Sequence, residues 1–389
     1  MKKKYIILSI ITLVLLIAFV TSFNYFKTKN DYVEDNVNNQ TKIIKGISMN
    51  LEQTAGAGDY KTVTQSSWPT EGYKFNSELS RCENGSTLSW DDTKKAVIMQ
   101  GNVSDKCYVY FDIWIPSIAA YCTSGTDLAT CVKNFGDQGP SVSNIYIHNS
   151  ALTNGAGDNS YRYAGANPNN YVCFGSEATT CPDANLFRII GVFGDQAKVI
   201  RAKSVGDQPW HTSQVNNWSS SSLNTYLNGE YLTSLGTLAE KIATTTWKVG
   251  GGDEANISFS VPATAYQYEV GSSASTTTVD KKIGLMYVSD YYYGASPSAW
   301  TLVGYNDDDE TKDYRAATST NWLYLGSTEW TISRNSGYTY LAFLVNSAGY
   351  VYYSGYVPVS LAVRPSFNLL SSVKYISGSG SMSDPVRVN

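Results

Sequence analysis

Six cysteines are the first residues whose type and spacing could do chemistry. They are Cys82, Cys107, Cys122, Cys131, Cys173 and Cys181, all in the first half of the chain. An even number, in a chain expected to be exported, reads first as disulfides. Six cysteines allow 15 pairings. Sequence neighbours suggest Cys82–Cys107, Cys122–Cys131 and Cys173–Cys181, each closing a local loop. No C-x-x-C pair occurs, which argues against zinc and against thioredoxin-type exchange.

Catalytic sets are thin. His148 and His211 are the only histidines, more than sixty residues apart, with no Asp or Glu at fixed spacing. That does not make a zinc site. No Gly-x-Ser-x-Gly elbow accompanies either one. A triad assembled in space stays open to any sequence, but each His reads as an ordinary loop residue. Asn306-Asp307-Asp308-Asp309-Glu310 is the one dense acidic run. It lacks EF-hand spacing and reads as a solvated turn rather than a calcium loop. The expectation is no catalytic residue, no metal, no cofactor and no enzyme activity.

Tyrosine is the third set. The chain holds 30 Tyr, yet only 16% of its residues are charged, against about a quarter in ordinary domains. Tyr291-Tyr292-Tyr293 form one cluster. Tyr338, Tyr340, Tyr350, Tyr352, Tyr353 and Tyr356 form another, with Asn335 beside it. Side chains on a strand alternate between faces. Tyr350 and Tyr352 should therefore share one face, and Val351 and Tyr353 the other. Two readings stay open. One row is core and the other half-exposed, because Tyr tolerates a wet end. Alternatively, the outward row with Asn335 and Tyr338 is a binding patch, where rings supply contact area without charge.

The elements that must position these residues begin with a hydrophobic run, Tyr5 to Phe23, behind Lys2, Lys3 and Lys4. Nineteen helical residues span about 28 Å, the depth of a bilayer's hydrocarbon core. The lysines place that end in the cytoplasm. A cleavable signal peptide fits less well, because its apolar region is usually 7–15 residues and ends in an A-x-A-like site. The expectation is an uncleaved, single-pass signal anchor through residues 5–23, with the bulk of the chain outside the cell. Without the three lysines, 26 basic and 33 acidic residues remain, a net of −7. That balance gives no footprint for nucleic acid and no attraction to anionic membranes.

The expected order is an anchor at 1–26, a polar stalk at 27–45, a small all-β module at 46–112 and a helical connector at 113–140. A large domain at 141–372 and a tail at 373–389 follow. The module holds strands around an Asp-Asp-Thr-Lys turn, with Cys82 and Cys107 as its staple. At roughly 65 residues it is small enough to profit from one. Residues 116–134 have helical character. Leu186–Val192 and Ala197–Ala202 form a hairpin across Phe193-Gly194-Asp195-Gln196. Ser219 should cap a helix over 220–228, and a second helix should run over 231–242. Strands are expected at 284–289, 340–345, 350–354 and 361–368.

Several stretches resemble a known pattern: LFRIIGVFGDQAKVIRA, WSSSSLNTYLN, KIATTTWKVGG, GLMYVSDYYYGASPSAW and WTISRNSG…AFLVNSAGYVYYSGY…LAVRPSFNL. They resemble a surface-protein family of Gram-positive gut bacteria. Its C-terminal domain is similar to the C-type-lectin-like fold, in the branch with formylglycine-generating enzymes and the variable proteins of diversity-generating retroelements. The segment LEQTAGAGDYKTVTQSSWPTEGYKF…SRCENGSTLSWDD…DKCYVYFD resembles a module that accompanies such domains. The resemblance covers most of residues 46–370. It implies a mixed α/β domain with few regular elements and a ligand surface near the C-terminal strands. It also implies that Arg364 is a buried structural residue.

This chain departs from the enzymes of that branch, which hold copper on a C-terminal cysteine pair; no Cys follows Cys181. The Glu-Pro-Asn and Trp-Asn-Asp triplets of calcium-dependent sugar-binding lectins are absent as well. The resulting expectation is an α+β protein that displays a lectin-like domain on the cell surface. Asn335, Tyr338, Tyr340, Tyr350, Tyr352, Tyr353 and Tyr356 would meet an extracellular glycan or protein. A structural envelope protein without a small ligand, or an extracellular enzyme, is the alternative.

Overall fold

The computed structural model describes residues 46–389, apart from 55, 65–66, 70–71, 103–104 and 115. The expected anchor at 5–23 and stalk at 27–45 lie outside the described residues. Among the described residues, no helix is long and apolar enough to cross a membrane. The chain divides into two compact units, Met1–Ile115 and Pro116–Asn389. Both are built mostly from short strands, with few helices, so the protein is α+β.

The first unit contains β1 (Ile47–Glu52), β2 (Tyr60–Val63), β3 (Tyr73–Phe75), β4 (Arg81–Cys82), β5 (Thr87–Asp91), β6 (Ala96–Gln100) and β7 (Cys107–Ile113). β1 runs parallel to β7, with β2 outside β1 and β3 and β4 both on β7. Along β7 the residues Cys107, Val109 and Phe111 point inward, with Tyr108 and Tyr110 only half-buried. Phe111 centres the core, its ring 5.7 Å from Trp90 and 5.9 Å from both Trp68 and Phe75. The β5–β6 hairpin turns where expected. Asp91 accepts hydrogen bonds from the Thr93 and Lys94 amides, so its carboxylate replaces backbone partners that the turn leaves unpaired. A disulfide joins Cys82 to Cys107, tying β4 to β7.

The second unit opens with a 3-10 turn at Ile118–Ala120 and a helix at Leu128–Gly136, with Cys122 bonded to Cys131. The helical stretch expected over 116–134 thus breaks at Thr123–Asp127 and starts its regular part later. Leu128, Val132 and Phe135 enter the main core of this unit, so the segment belongs to the large domain's packing.

The strands that follow are β8 (Ile145–Ile147), β9 (Tyr161–Tyr163), β10 (Tyr171–Cys173), β11 (Leu186–Phe193), β12 (Gln196–Arg201), β13 (Asp207–Pro209), β14 (Thr245–Lys248), β15 (Thr278–Lys281) and β16 (Ile283–Gly284). They continue with β17 (Glu329–Arg334), β18 (Leu341–Val345), β19 (Val351–Tyr356), β20 (Ser360–Ala362), β21 (Ser366–Asn368), β22 (Tyr375–Ser377) and β23 (Val386–Val388). One sheet has the order β16-β21-β12-β11-β10-β23-β22, with β9 on β11 and β8 on β9. A second has the order β13-β20-β17-β18-β19.

The expected hairpin is β11–β12, the centre of the first sheet. Its register slips between Ile189 and Gly191, opposite β9. A Cβ at Gly191 would stand 2.2 Å from the Tyr161 carbonyl oxygen, so only glycine lets β9 approach there. The third disulfide, Cys173–Cys181, follows β10.

Three expectations change. The helix expected over 220–228 is a 3-10 turn capped by Asn217, then a short helix Ser222–Tyr226 capped by Ser221, not Ser219. The chain goes on through a wider π turn at Leu227–Tyr231, containing Gly229, into short helical pieces ending at Lys241. Residues 284–289 are not one strand: β16 ends at Gly284, and a helix begins at Val288 with Asp290 in its first turn. Residues 373–389 are no tail. β23 pairs with β10, Tyr375 donates its amide to Thr126, and Lys374 meets Asp127 at 2.6 Å. The two ends of the unit are therefore sewn together.

Candidate functional site

The helix Val288–Gly294 is the support behind the tyrosine strands. Its N-terminus is held by two buried carboxylates. Asp290 accepts from the Tyr287 amide, and Glu269 accepts from the Val288 and Ser289 amides. Negative charge at this end also complements the helix dipole. Tyr291, Tyr292 and Tyr293 are all buried, so this cluster is core. Each hydroxyl reaches a carbonyl: Tyr291 to Gly349 at 2.6 Å, Tyr292 to Ile257 at 2.8 Å and Tyr293 to Asn154 at 3.2 Å. The first of these bonds fixes the β18–β19 turn. Burial pushes the Tyr291 and Tyr292 phenols well up, so they remain neutral donors.

On β19 the tyrosines do not alternate strictly. Ala342 faces Gly355 and Leu344 faces Tyr352, so β19 carries one extra residue there. Such a bulge re-aims side chains. Val351 is fully buried, while Tyr350, Tyr352 and Tyr353 are all half-buried. Tyr353 therefore joins the outward group instead of pairing with Val351, and its ring lies 5.2 Å from Tyr352.

Two other segments supply rings that the sequence reading missed. The Ser258 hydroxyl donates to the Val351 carbonyl at 2.5 Å, the Tyr305 amide donates to Ser258, and the Val351 amide donates to Gly304. These bonds bring Phe259 and Tyr305 against β19. Phe259 lies 5.2 Å from Tyr353, and Tyr305 lies 4.9 Å from Tyr350 and 6.0 Å from Tyr352. The Arg315 guanidinium sits 5.4 Å from the Tyr305 ring and 5.1 Å from the Tyr350 ring. Phe259 is 41% exposed, so this cluster reaches the surface.

A second row lies on the β17–β18 connection and the end of β19. Tyr338 and Tyr340 are 6.1 Å apart, and Tyr340 and Tyr356 are 6.2 Å apart. All three are exposed at 38–42%. Asn335, expected in the patch, is instead fully buried. Its amide donates to the Tyr353 carbonyl and to Glu254, and its oxygen accepts from the Gly337 amide. A short polar side chain there satisfies the irregular backbone between the two rows, so Asn335 shapes the surface from beneath.

The acidic run folds around Arg315. Asn306 Oδ1 accepts from the Asp308 and Asp309 amides. Buried Asp313 receives the Arg315 guanidinium through two nitrogens, and Glu310 takes a third contact at 2.7 Å. Thr311 and Lys312 hold the Asp309 carboxyl down at about 2. Tyr305 donates to Asp307 at 2.6 Å, which raises its phenol to about 12. Among the described residues, no group of three His, Cys, Asp or Glu is placed to hold a metal ion.

The histidines lie elsewhere. His148 is buried 4.5 Å from the Tyr293 ring and 5.2 Å from Trp300, its Nδ1 accepting from the Ala156 amide. Burial, then Arg162, push its pKa down to about 2, with Asp158 opposing. It is a neutral core residue. His211 is half-buried, and its Nδ1 accepts from the Ser213 amide. Arg364 is buried, as the resemblance implied, donating to Glu329 at 2.6 and 2.7 Å and to the Leu323 carbonyl.

The family described as a domain of unknown function (DUF6273) matches residues 194–371. The match spans every aromatic residue of the candidate surface and none of the cysteines. No curated protein and no solved structure matches the chain significantly.

Proposed function

We propose that this protein is a cell-surface binding protein, anchored through residues 5–23, whose second unit is C-type-lectin-like and presents an aromatic surface to an extracellular glycan or protein. The observation that carries this reading is the run of rings at the surface: Phe259, Tyr305, Tyr350, Tyr352 and Tyr353, with Tyr338, Tyr340 and Tyr356 beside them. Rings at a surface bury large area with only two rotors each to freeze, so they bind without net charge. The three disulfides agree with an oxidising, extracellular setting. Short strands and broken helices fit the mixed, irregular domain that the resemblance implies.

Glycan and protein arrays probed with soluble residues 46–389 test the proposal. Binding is expected to fall at least tenfold when Tyr338, Tyr350 and Tyr352 are replaced together by Ala. Unchanged binding by the triple variant would remove the patch from the mechanism.

A further inference from the structure

The second unit holds a charge cluster that the aromatic surface does not use. Lys198 on β12 and Asp290 in the helix Val288–Gly294 are both at least 94% buried, and Lys198 Nζ stands 2.5 Å from Asp290 Oδ2. The walls are aromatic: Tyr287, Trp247 and Phe193 have ring centroids 4.7, 5.4 and 5.6 Å from Nζ. Asp290 Oδ2 also accepts from the Tyr287 amide at 2.9 Å, which fixes the carboxyl group. Arg162 reaches Oδ1 at 3.5 Å while its shorter contact, 2.6 Å, goes to Asp158. Glu269, fully enclosed, is bound to the same helix end and to Ser333.

The geometry points to a covalent fate for this contact: Lys198 and Asp290 condense into an intramolecular amide bond. The step balances without a co-reactant. Nζ attacks Asp290 Cγ, a C–N bond forms and one carboxyl C–O bond breaks; two of the three ammonium protons leave with that oxygen as water, and the third stays as the amide N–H. One ammonium and one carboxylate disappear together, so net charge is unchanged and no electrons are exchanged. Oδ2, held by the Tyr287 amide, stays as the amide oxygen. Oδ1, beside Arg162, is the oxygen lost.

Three features favour the reaction here over an exposed Lys–Asp pair. The groups are held in contact by the fold, where well-oriented intramolecular reactions reach effective concentrations on the order of 10⁵–10⁸ M. The site is walled by rings, so the ion pair lacks the water that would otherwise stabilise it. Burial works against the charge on Lys198 and pushes its pKa down, in the direction of the neutral amine that attack requires. The consequence is structural. All three disulfides lie before residue 182. A bond between positions 92 residues apart would staple the cysteine-free part of the unit, across the sheet centre and the helix behind the aromatic surface.

Mass spectrometry of the full-length chain, reduced and denatured, tests this directly. The expected mass is about 18 Da below the sequence mass, with a branched proteolytic peptide joining Lys198 to Asp290. Lys198→Arg and Asp290→Ala chains should each show the full mass, and since the reading is made on denatured protein it does not depend on their folding. Full mass in the unsubstituted chain, with Lys198 acylated by an amine-reactive ester once denatured, would overturn the cross-link and leave a buried ion pair. That outcome would not affect the binding proposal, which rests on different residues.

Discussion

The Tyr305 and Tyr350 rings lie 4.9 Å apart at an interplanar angle of 33°, and one Arg315 guanidinium serves both. The same guanidinium grips buried Asp313 through two nitrogens. One side chain thus joins the acidic loop, the ring of Tyr305 and the edge strand β19. The rings are set before any ligand arrives, which lowers the ordering cost of binding.

Arg315→Ala should therefore act twice. It removes a cation–π contact of about 0.5–1 kcal/mol and leaves the buried Asp313 carboxylate without its counter-charge, held by the Asn306 and residue-315 backbone amides. The lost charged hydrogen bonds cost about 1.5–3 kcal/mol more. Arg315→Lys should recover little, because an ammonium cannot reproduce the planar fork. Urea denaturation of residues 46–389, with ligand titration in parallel, checks both. A lysine variant equal to the unsubstituted protein in both assays would show that charge alone suffices.

His148 makes the second unit sensitive to mild acid. Its pKa falls from about 6.5 in the unfolded chain to about 2 in the fold. A histidine depressed in this way contributes its full stability above pH 6.5. That contribution is lost as the pH drops below 6.5, because only the unfolded chain takes up the proton. By linkage the loss reaches about 2 kcal/mol at pH 5. His148→Gln should remove this slope. The stability difference between the two proteins, measured from pH 7.5 to 5, should shift by that amount; a constant difference would mean that His148 is protonated in the fold.

What the sequence disclosed follows from how local each signal is. The β11–β12 hairpin was legible because Leu186–Val192 and Ala197–Ala202 flank a Gly-Asp turn. The disulfides were legible because each closes a short loop. Alternation puts Tyr350 and Tyr352 on one face, as found, but it pairs Tyr353 with Val351, whereas Val351 is buried and Tyr353 half-buried. Strand alternation says nothing of a bulge that depends on β18. Phe259, Tyr305 and Arg315 carry no periodic signal, since they reach β19 through loop hydrogen bonds to distant backbone. Asn335 looked like a surface donor because a polar residue gives no hint that backbone will close over it. The C-terminal strands β22 and β23 are three residues each, separated by a Ser/Gly-rich loop, too short for any pattern to stand out.

Arg364 and Glu329 form a buried ion pair, both almost fully enclosed, with Arg364 also serving the Leu323 carbonyl. Burial pushes the Glu329 carboxyl up, and Arg364 opposes that shift. Arg364→Met should cost about 3–5 kcal/mol, because the carboxylate is left uncompensated. Adding Glu329→Leu should recover much of the loss, since paired removal avoids that penalty. Denaturant midpoints of the single and double variants decide this; a double variant no more stable than the single would place the cost in lost packing instead.

In the first unit the described core is small: Met49, Leu51, Val97, Val109 and Phe111, with a few half-buried rings around them. The Cys82–Cys107 disulfide closes a loop with a sequence separation of 25 residues, worth about 3–4 kcal/mol in the chain-entropy account. Small domains seldom have more than about 5 kcal/mol to lose. A chain with Cys82→Ser and Cys107→Ser should therefore leave the first unit largely unfolded while the second unit stays folded. Limited proteolysis should cut this variant within residues 46–115 at 25 °C and leave 116–389 intact. Equal resistance of both segments in the variant would show that the β1–β7 pairing and the Phe111 core hold this unit without the covalent link.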